Sequence, residues 1–460
     1  MSSRISDRLL RLAAWLLLAA SCVEAGEQLA TIDSPEVDPR PNIILILADD
    51  MGYGDSSVYD GLIKTPHLER MAREGLKFTD FHSSGVVCSP TRAGLMTGRY
   101  QQRAGISRVV HTNPNSPSHH HGLQPEEITL AELLKEAGYQ TAMFGKWHLG
   151  YAPNYNPTRH GFDRFRGFLS GNIDYISRFD NRETYDWWEG TEKVHETGYL
   201  TDLLTAHAVK YIRDHKHTPF CLYVSHGAVH TPIQASDSPA LRGPDKGGKD
   251  RRPRKQVFQL MMKALDDSVG AILDTVTQAG IADHTLVVFL SDNGGERGIS
   301  NLPWRGTKNT YWEGGHRVPA MAWLPGSIQP GTVTSELCMS FDLVPTILEL
   351  AGRPEPREQY FDGLSLVPVF KGGSVGPRQL FWDGVAMRDG TWKLINSGTA
   401  SDRGARLFNL NTDPAEEHNI AAIHKERVMR MVEALESWES DVASGATKQP
   451  SATDASLQSH

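Results

Sequence analysis

The chain has 460 residues, 39% of them hydrophobic, with 42 glycines and a formal net charge of −8. That length suits one large domain plus a smaller one, and the composition excludes a disordered, collagen-like or multispan membrane chain. With Lys+Arg 47 against Asp+Glu 55, no global field draws in nucleic acid or an anionic membrane, so any anionic ligand must be recruited locally.

The first residues carry Arg4, Arg8 and Arg11, an apolar run over residues 12–20, and Val23-Glu24-Ala25. This pattern predicts a signal peptide over residues 1–25 and a mature start near Gly26. The run is far shorter than the about 18 residues of a membrane span. Export to a bacterial periplasm or beyond is the expectation, with Cys22 as a secondary route to a lipid anchor. The one Asn-x-Ser/Thr match, Asn156-Pro157-Thr158, is disqualified by its proline, which fits a bacterial exported protein. Outside the leader stand Cys88, Cys221 and Cys338, an odd number that cannot close a disulfide framework.

Five apolar runs of strand length follow, at residues 43–47, 141–144, 220–224, 286–290 and 318–323. Between them lie helical patterns at 129–137, opened by a capping box of Thr129 and Glu132, at 203–214 and at 257–278. Strand alternating with helix predicts an α/β protein with a large, mixed, mostly parallel central sheet flanked by helices. A helix at 343–350 ends at Ala351-Gly352, and the Gly/Pro-rich stretch 352–377 marks a boundary. Beyond it, short strands at 379–382, 392–395 and 406–410 and an amphipathic helix at 428–438 predict a small C-terminal antiparallel sheet plus helix. The expected layout is a catalytic domain over 26–376, an α+β domain over 377–443 and a disordered polar tail over 444–460.

Four polar motifs begin where a predicted strand stops: Asp49-Asp50, Lys146 with His148, His226 with His230, and Asp292-Asn293. In an open α/β sheet the carboxyl ends of parallel strands form the ligand crevice, so these segments converge on one site. The ligands offered by Asp49, Asp50, Asp292 and Asn293 are all oxygens, which suits Ca²⁺ or Mg²⁺ over zinc. For any single pair, helix capping or a turn is the competing account. Cys88-Ser89-Pro90-Thr91-Arg92 opens a helix, placing Cys88 where backbone N–H groups favour an anion and Arg92 one turn on. A lone cysteine as a small buried hydrophobe is the alternative.

Cys88-Ser89-Pro90-Thr91-Arg92 followed by Leu95-Met96-Thr97-Gly98-Arg99 resembles the signature of formylglycine-dependent sulfatases, in the alkaline-phosphatase-like superfamily. The resemblance runs on through residues 145–150, His230-Thr231-Pro232, residues 291–295, residues 305–308 and residues 313–319. In texture the chain is similar to arylsulfatase A, N-acetylgalactosamine-6-sulfatase and bacterial carbohydrate sulfatases. Thr91 stands where serine is commoner, and His316 where an aliphatic residue is usual.

The resemblance implies a sulfuric ester hydrolase acting on a sulfated glycan or small aryl sulfate. Cys88 would be converted to formylglycine by a formylglycine-generating enzyme or an anaerobic maturase. Asp49, Asp50, Asp292 and Asn293, with the modified Cys88, would hold a divalent cation, Ca²⁺ or else Mg²⁺. Arg92 and Lys146 would steady the nucleophile, His230 beside Lys308 would protonate the leaving alcohol, and His148 would take a proton to release sulfate. Two rivals stand beside this: a phosphoesterase on the same fold, and an inactive glycan-binding relative. Weaker signals have bland defaults: a solvated loop for the basic stretch 243–255, core packing for Trp187-Trp188, an exposed loop for His119-His120-His121, and an ordinary loop residue for His226.

Overall fold

The computed structural model describes residues 40–450 apart from 297, 355, 357–358 and 397–403. The expected signal peptide and Cys22 lie outside the described residues. Along the chain the strands are β1 (Asn42–Ala48), β2 (Leu76–Phe78), β3 (Phe81–His82), β4 (Gln140–Lys146), β5 (Arg164–Phe168), β6 (Trp188–Glu189), β7 (Glu192–Lys193) and β8 (Phe220–Ser225). They continue as β9 (Thr285–Ser291), β10 (Ala320–Trp323), β11 (Thr332–Thr334), β12 (Cys338–Met339), β13 (Gln379–Trp382), β14 (Ala386–Asp389), β15 (Trp392–Ile395) and β16 (Arg406–Asn409).

Runs of Ile, Leu and Val with no polar face must be covered on both sides, and the fold obliges. A 10-stranded sheet runs in the order β11-β2-β10-β9-β1-β8-β4-β5-β6-β7. Ile43, Leu45 and Leu47 of β1 pack into one hydrophobic cluster and Ile44 and Ile46 into the other, the alternation that a two-residue period demands. Helices Leu200–His215 and Arg254–Gln278 cover the Ile44 face, and helices Cys88–Thr97, Leu130–Glu136 and Leu343–Leu350 the Ile43 face. The Thr129–Glu132 capping box forms as the sequence predicts.

The centre, β9-β1-β8-β4-β5, is parallel, and its register is what builds the site. Ala48 stands opposite Ser291, Leu47 opposite Ser225, and Gly145 opposite Ser225. The residues that follow each strand therefore emerge side by side at one edge. The strand expected at 318–323 departs from the parallel reading: it is shorter, and it runs antiparallel to β9. Residues 292–319 stay at the carboxyl edge instead of crossing the sheet as a helix, so the chain re-enters from the end at which it left.

The small C-terminal sheet is antiparallel, β13-β14-β15-β16, and buries Met431, Leu435, Trp438 and Val442 of helix Lys425–Ala443. The expected tail differs. Up to Pro450 it is held on the body: Thr447 N–H donates to Arg103 O (2.8 Å), and Gln449 Nε2 donates to Gly122 O (3.0 Å). Its polar side chains match backbone groups that would otherwise be short of partners.

A buried charge network locks the small sheet to the large one. Glu313 accepts from Arg388 Nη1 (2.7 Å) and Lys393 Nζ (2.8 Å), both from the small sheet, and Asp80 accepts from Arg388 Nη2 (3.0 Å). Lys393 Nζ also donates to His316 Nε2 (2.7 Å), and His316 Nδ1 meets His82 Nδ1 (2.9 Å). His316 stacks on Trp382 with centroids 4.0 Å apart. The unusual histidine is thus the acceptor for a buried ammonium, a task no aliphatic residue performs. Burial, then Lys393, holds the His316 pKa well below its usual value, and burial lowers His82.

A histidine kept neutral when folded but protonated when unfolded makes stability fall as pH drops below about 6.5. From pH 7.5 to 5.5 His316 should cost about 1.4 kcal/mol, with His82 adding up to as much again. Asp80 and Glu313, both held low, act in the same direction below about pH 4.5; Glu416, raised to about 7, opposes it. In urea unfolding across this range, His316→Leu should flatten the slope as well as lower the midpoint. An unchanged slope would show that His316 is not kept neutral.

Candidate active site

Each side chain of the site is delivered by a strand end or a helix start. Asp49 and Asp50 follow β1, and Asp50 adopts φ 62, a left-handed conformation that lets two consecutive carboxylates turn toward one point. His148, two residues beyond β4, is likewise left-handed at φ 58. Two glycines make the convergence possible. A Cβ at Gly145 would overlap the carbonyl of Ser225, and one at Gly294 the carbonyl of Gly314. Cys88 is the first residue of helix Cys88–Thr97 and only 3% exposed, as its Pro90 predicts.

Asp49 and Asp292 hold the cations of the site in buried ion pairs. Lys146 Nζ lies 2.7 Å from Asp49 Oδ2. Arg92 grips Asp292 Oδ2 through Nη2 (2.8 Å) and Nε (3.1 Å), while its Nη1 donates to Ser225 Oγ (2.6 Å) and Lys146 O (3.0 Å). Lys308 Nζ sits 2.7 Å from Asp50 Oδ1 and 3.4 Å from Cys88 Sγ. His230 Nε2 lies 3.6 Å from Asp50 Oδ2, and Cys88 Sγ 3.5 Å from Asp49 Oδ1. Asn293 Nδ2 donates to Asp50 Oδ1 (2.7 Å), and the Asp50 N–H to Asp292 Oδ1 (3.2 Å). These contacts bring together Asp49, Asp50, Cys88, Arg92, Lys146, His230, Asp292, Asn293 and Lys308, whereas His148 bonds Val110 O outside this set of contacts.

The donor set could hold a metal ion. Ligand atoms of Asp49, Asp50, Cys88 and His230 all lie within 4.8 Å of one another. Asn293 Oδ1 is buried with no hydrogen-bond partner, beside these carboxylates. Burial drives the Asp49 pKa up to about 7; Lys146 opposes this, and the Asp292 and Asp50 carboxylates add to it. A positive ion among these oxygens would relieve both the orphaned acceptor and the crowded charge.

Burial pushes the Cys88 thiol up to about 12, with Asp292 adding to the effect. Burial also lowers His148, helped by Lys146 and Arg92, and lowers His230 to about 4. Lys308 is raised: burial works against its charge, but Cys88, Asp50 and Asp49 outweigh it. His148 Nε2 bonds Val110 O (2.9 Å), leaving Nδ1 buried without a partner.

The sequence reading missed Ser225, which bridges Arg92 to Lys146 O; its place as the last residue of β8 was the one signal for it. It also missed Glu296, which lines the cavity of about 430 Å³ over Lys308. A larger cavity, about 570 Å³, lies against helix Leu130–Glu136 and Arg353 and contains none of the site residues. His226 keeps apart, its Nε2 on Ser268 Oγ (3.1 Å), and Trp187 is fully buried. His119 stacks on Tyr151 (4.6 Å). In the basic loop Arg252 is spent on Asp250 (2.6 Å) and Asp237 (2.8 Å) rather than left free.

The Sulfatase family profile matches residues 41–353, and that for the N-sulphoglucosamine sulphohydrolase C-terminal region matches residues 306–440. The chain belongs to the sulfatase family. It is 39% identical to the N-acetylgalactosamine-6-sulfatase of Homo sapiens over 367 residues, 74% of this chain and 68% of that one. It is 34% identical to arylsulfatase G of Rattus norvegicus over 414 residues, 80% of this chain and 73% of that one. Among solved structures, Ps i-CgsB in complex with k-i-k-neocarrahexaose superposes with a TM-score of 0.79 at 30% identity, covering 91% of this chain and 97% of that one. This sulfatase is accordingly a sulfuric ester hydrolase, of a family that generally uses a metal ion and formylglycine. Among the described residues no helix is long and apolar enough to cross a membrane.

Proposed function

We propose that this sulfatase is exported and removes sulfate from a sulfated carbohydrate, with Cys88 matured to formylglycine and a Ca²⁺ ion held by Asp49, Asp50, Asp292 and Asn293. The observation that carries the reading is the meeting of Cys88 with three buried carboxylates and the cations Arg92, Lys146 and Lys308. The carbohydrate half is supported by the relatives, one named for N-acetylgalactosamine 6-sulfate and one solved with a neocarrahexaose.

A sulfate ester repels nucleophiles, so the site must offset its charge before attack. The aldehyde hydrate at position 88 would supply the attacking oxygen. The bound cation would offset charge on the sulfuryl oxygens and lower the proton affinity of that hydrate. Arg92 and Lys146 hold positive charge at fixed points, anchored by Asp292 and Asp49. Lys308 keeps its proton, and both it and His230 reach Asp50, so the pair presents a proton toward the leaving oxygen. The charge of an arriving ester favours the protonated His230 imidazole that burial otherwise disfavours. His148, held neutral with Nδ1 open, is the base that accepts a proton as sulfate departs.

Release of inorganic sulfate across sulfated glycans and a chromogenic aryl sulfate tests the reading against the phosphoesterase alternative. Sulfate esters should turn over faster than every matched phosphate ester; the reverse order would overturn it. Removing divalent cations with a chelator should lower turnover at least about tenfold, and added Ca²⁺ should restore it. Turnover indifferent to chelation would remove the cation from the account.

A further inference from the structure

The cavity over the site has walls of two kinds. Val87, directly before Cys88, and Val109, directly before the Val110 carbonyl that meets His148 Nε2, are half-buried and apolar. Thr307, Lys308 and Asn309, with Glu296, form the polar side. A volume of about 430 Å³ lies in the range of small-molecule pockets, and a sugar, with its apolar C–H face and edge of hydroxyls, has the matching mixed character.

Asn309 differs from its neighbours in this wall. Lys308 is committed to Asp50 and Cys88. The backbone at Asn309 is fixed: its N–H donates to Val86 O (2.9 Å), the Lys308 N–H before it to Gly295 O (3.0 Å), and the Thr310 N–H after it to Thr307 O (3.1 Å). Its side chain is exposed, and among the described residues the carboxamide has no hydrogen-bond partner. Its φ of 65 is left-handed, where glycine fits best and asparagine is tolerated, so the turn itself requires no side chain here. A carboxamide offers both donors and an acceptor and carries no charge to oppose an arriving anion. One residue from the ammonium that meets Cys88, it borders the space that the alcohol half of the ester must occupy.

We propose that Asn309 is a specificity residue: its carboxamide hydrogen-bonds a free hydroxyl of the sugar ring that carries the scissile sulfate, while Val87 and Val109 take the C–H face of that ring. The proposal rests on the carbohydrate sulfatase reading and adds which side chains read the ring.

The test uses matured full-length protein hydrolysing a chromogenic aryl sulfate. Inhibition constants are measured for the 6-sulfate and the 4-sulfate of N-acetylgalactosamine, the sugar in the name of one relative, and for the singly deoxygenated analogues of each. In the wild type at least one analogue should bind at least about fivefold more weakly than its parent, because a site built to bond a hydroxyl penalises its loss. Asn309→Gly keeps the left-handed turn and removes the carboxamide. In that variant the same analogue and parent should bind within about twofold of each other, since deleting both ends of one hydrogen bond is not additive. A merely structural role would weaken parent and analogue alike and leave their ratio as in the wild type. A ratio that survives in Asn309→Gly, a wild type indifferent to every deoxygenation, or a wild type that binds neither parent would overturn the proposal while leaving the sulfatase reading intact. Absence of any sulfate ester hydrolysis in matured protein would instead overturn that reading.

Discussion

Cys88→Ala is expected to lower kcat/KM toward an aryl sulfate by at least about 10⁴-fold in protein produced with a cysteine-maturing activity, because it removes the nucleophile of a covalent mechanism. The unmodified thiol is a poor candidate for that role, since it is 3% exposed and burial pushes it up to about 12. It sits at a helix N-terminus, yet burial and the charges of Asp292 and Asp49 keep it protonated, and the proposed conversion to a neutral, hydratable aldehyde avoids the need for a thiolate there. The fold should survive: Sγ stands 3.5 Å from Asp49 and 3.4 Å from Lys308, and such weak interactions are worth about 1 kcal/mol or less. Sulfate release and urea midpoint together check this, and mass spectrometry of the Cys88 peptide should find an aldehyde in active protein. Full activity with an intact thiol, or more than about a hundredth of wild-type activity in the alanine variant, would sink the assignment.

Asp292→Ala should be the most damaging change to stability among the site residues, by about 3–5 kcal/mol. Arg92 is wholly buried and donates twice to one Asp292 oxygen, so deletion of the carboxylate leaves a guanidinium with only Ser225 Oγ and Lys146 O as close partners. The next acid, Asp49, is 3.9 Å from Nη2 and already committed to Lys146. Asp292→Asn keeps an acceptor but not the charge, and should lose about half as much stability. Asp292→Ala also removes the oxygens this residue would offer the proposed cation, and Asp292→Asn only their charge, so turnover should fall below detection in the alanine form. A midpoint within about 0.5 kcal/mol of the wild type would mean that Arg92 is not paired as described.

Much of this was legible in the sequence because the site is assembled from strand ends. Runs such as residues 43–47 announce a doubly covered strand, and in a parallel sheet whatever polar residue follows must surface at the common edge; Asp49, Lys146 and Asp292 follow from that rule alone. Cys88 was visible through Pro90 and Arg92. What escaped has a shared cause: residues whose role depends on a partner distant in sequence. β14 carries Met387-Arg388-Asp389, too polar to read as a strand, because Arg388 serves Asp80 and Glu313. Glu296 lies in a loop with no periodic signal, and only the cavity gives it meaning. The direction of β10 depended on a long connection that periodicity does not describe, and the tail through Pro450 was polar enough to suggest disorder while in fact supplying hydrogen bonds to Arg103 and Gly122.

The network joining Asp80 and Glu313 to Arg388 and Lys393 also bears on what a shortened gene product would be. A premature stop between residues 320 and 388 deletes Arg388 and Lys393 yet keeps the two acids with Arg317 Nη1 as one shared base, 3.2 Å from each; Glu313 begins the turn Glu313–His316 five residues after Lys308. Such a fragment retains every residue of the reaction centre on paper but strands negative charge in its own interior. The C-terminal part of the polypeptide is therefore no accessory, and nonsense variants that remove both bases should behave as complete losses, cleared by proteolysis, instead of as weakened enzymes.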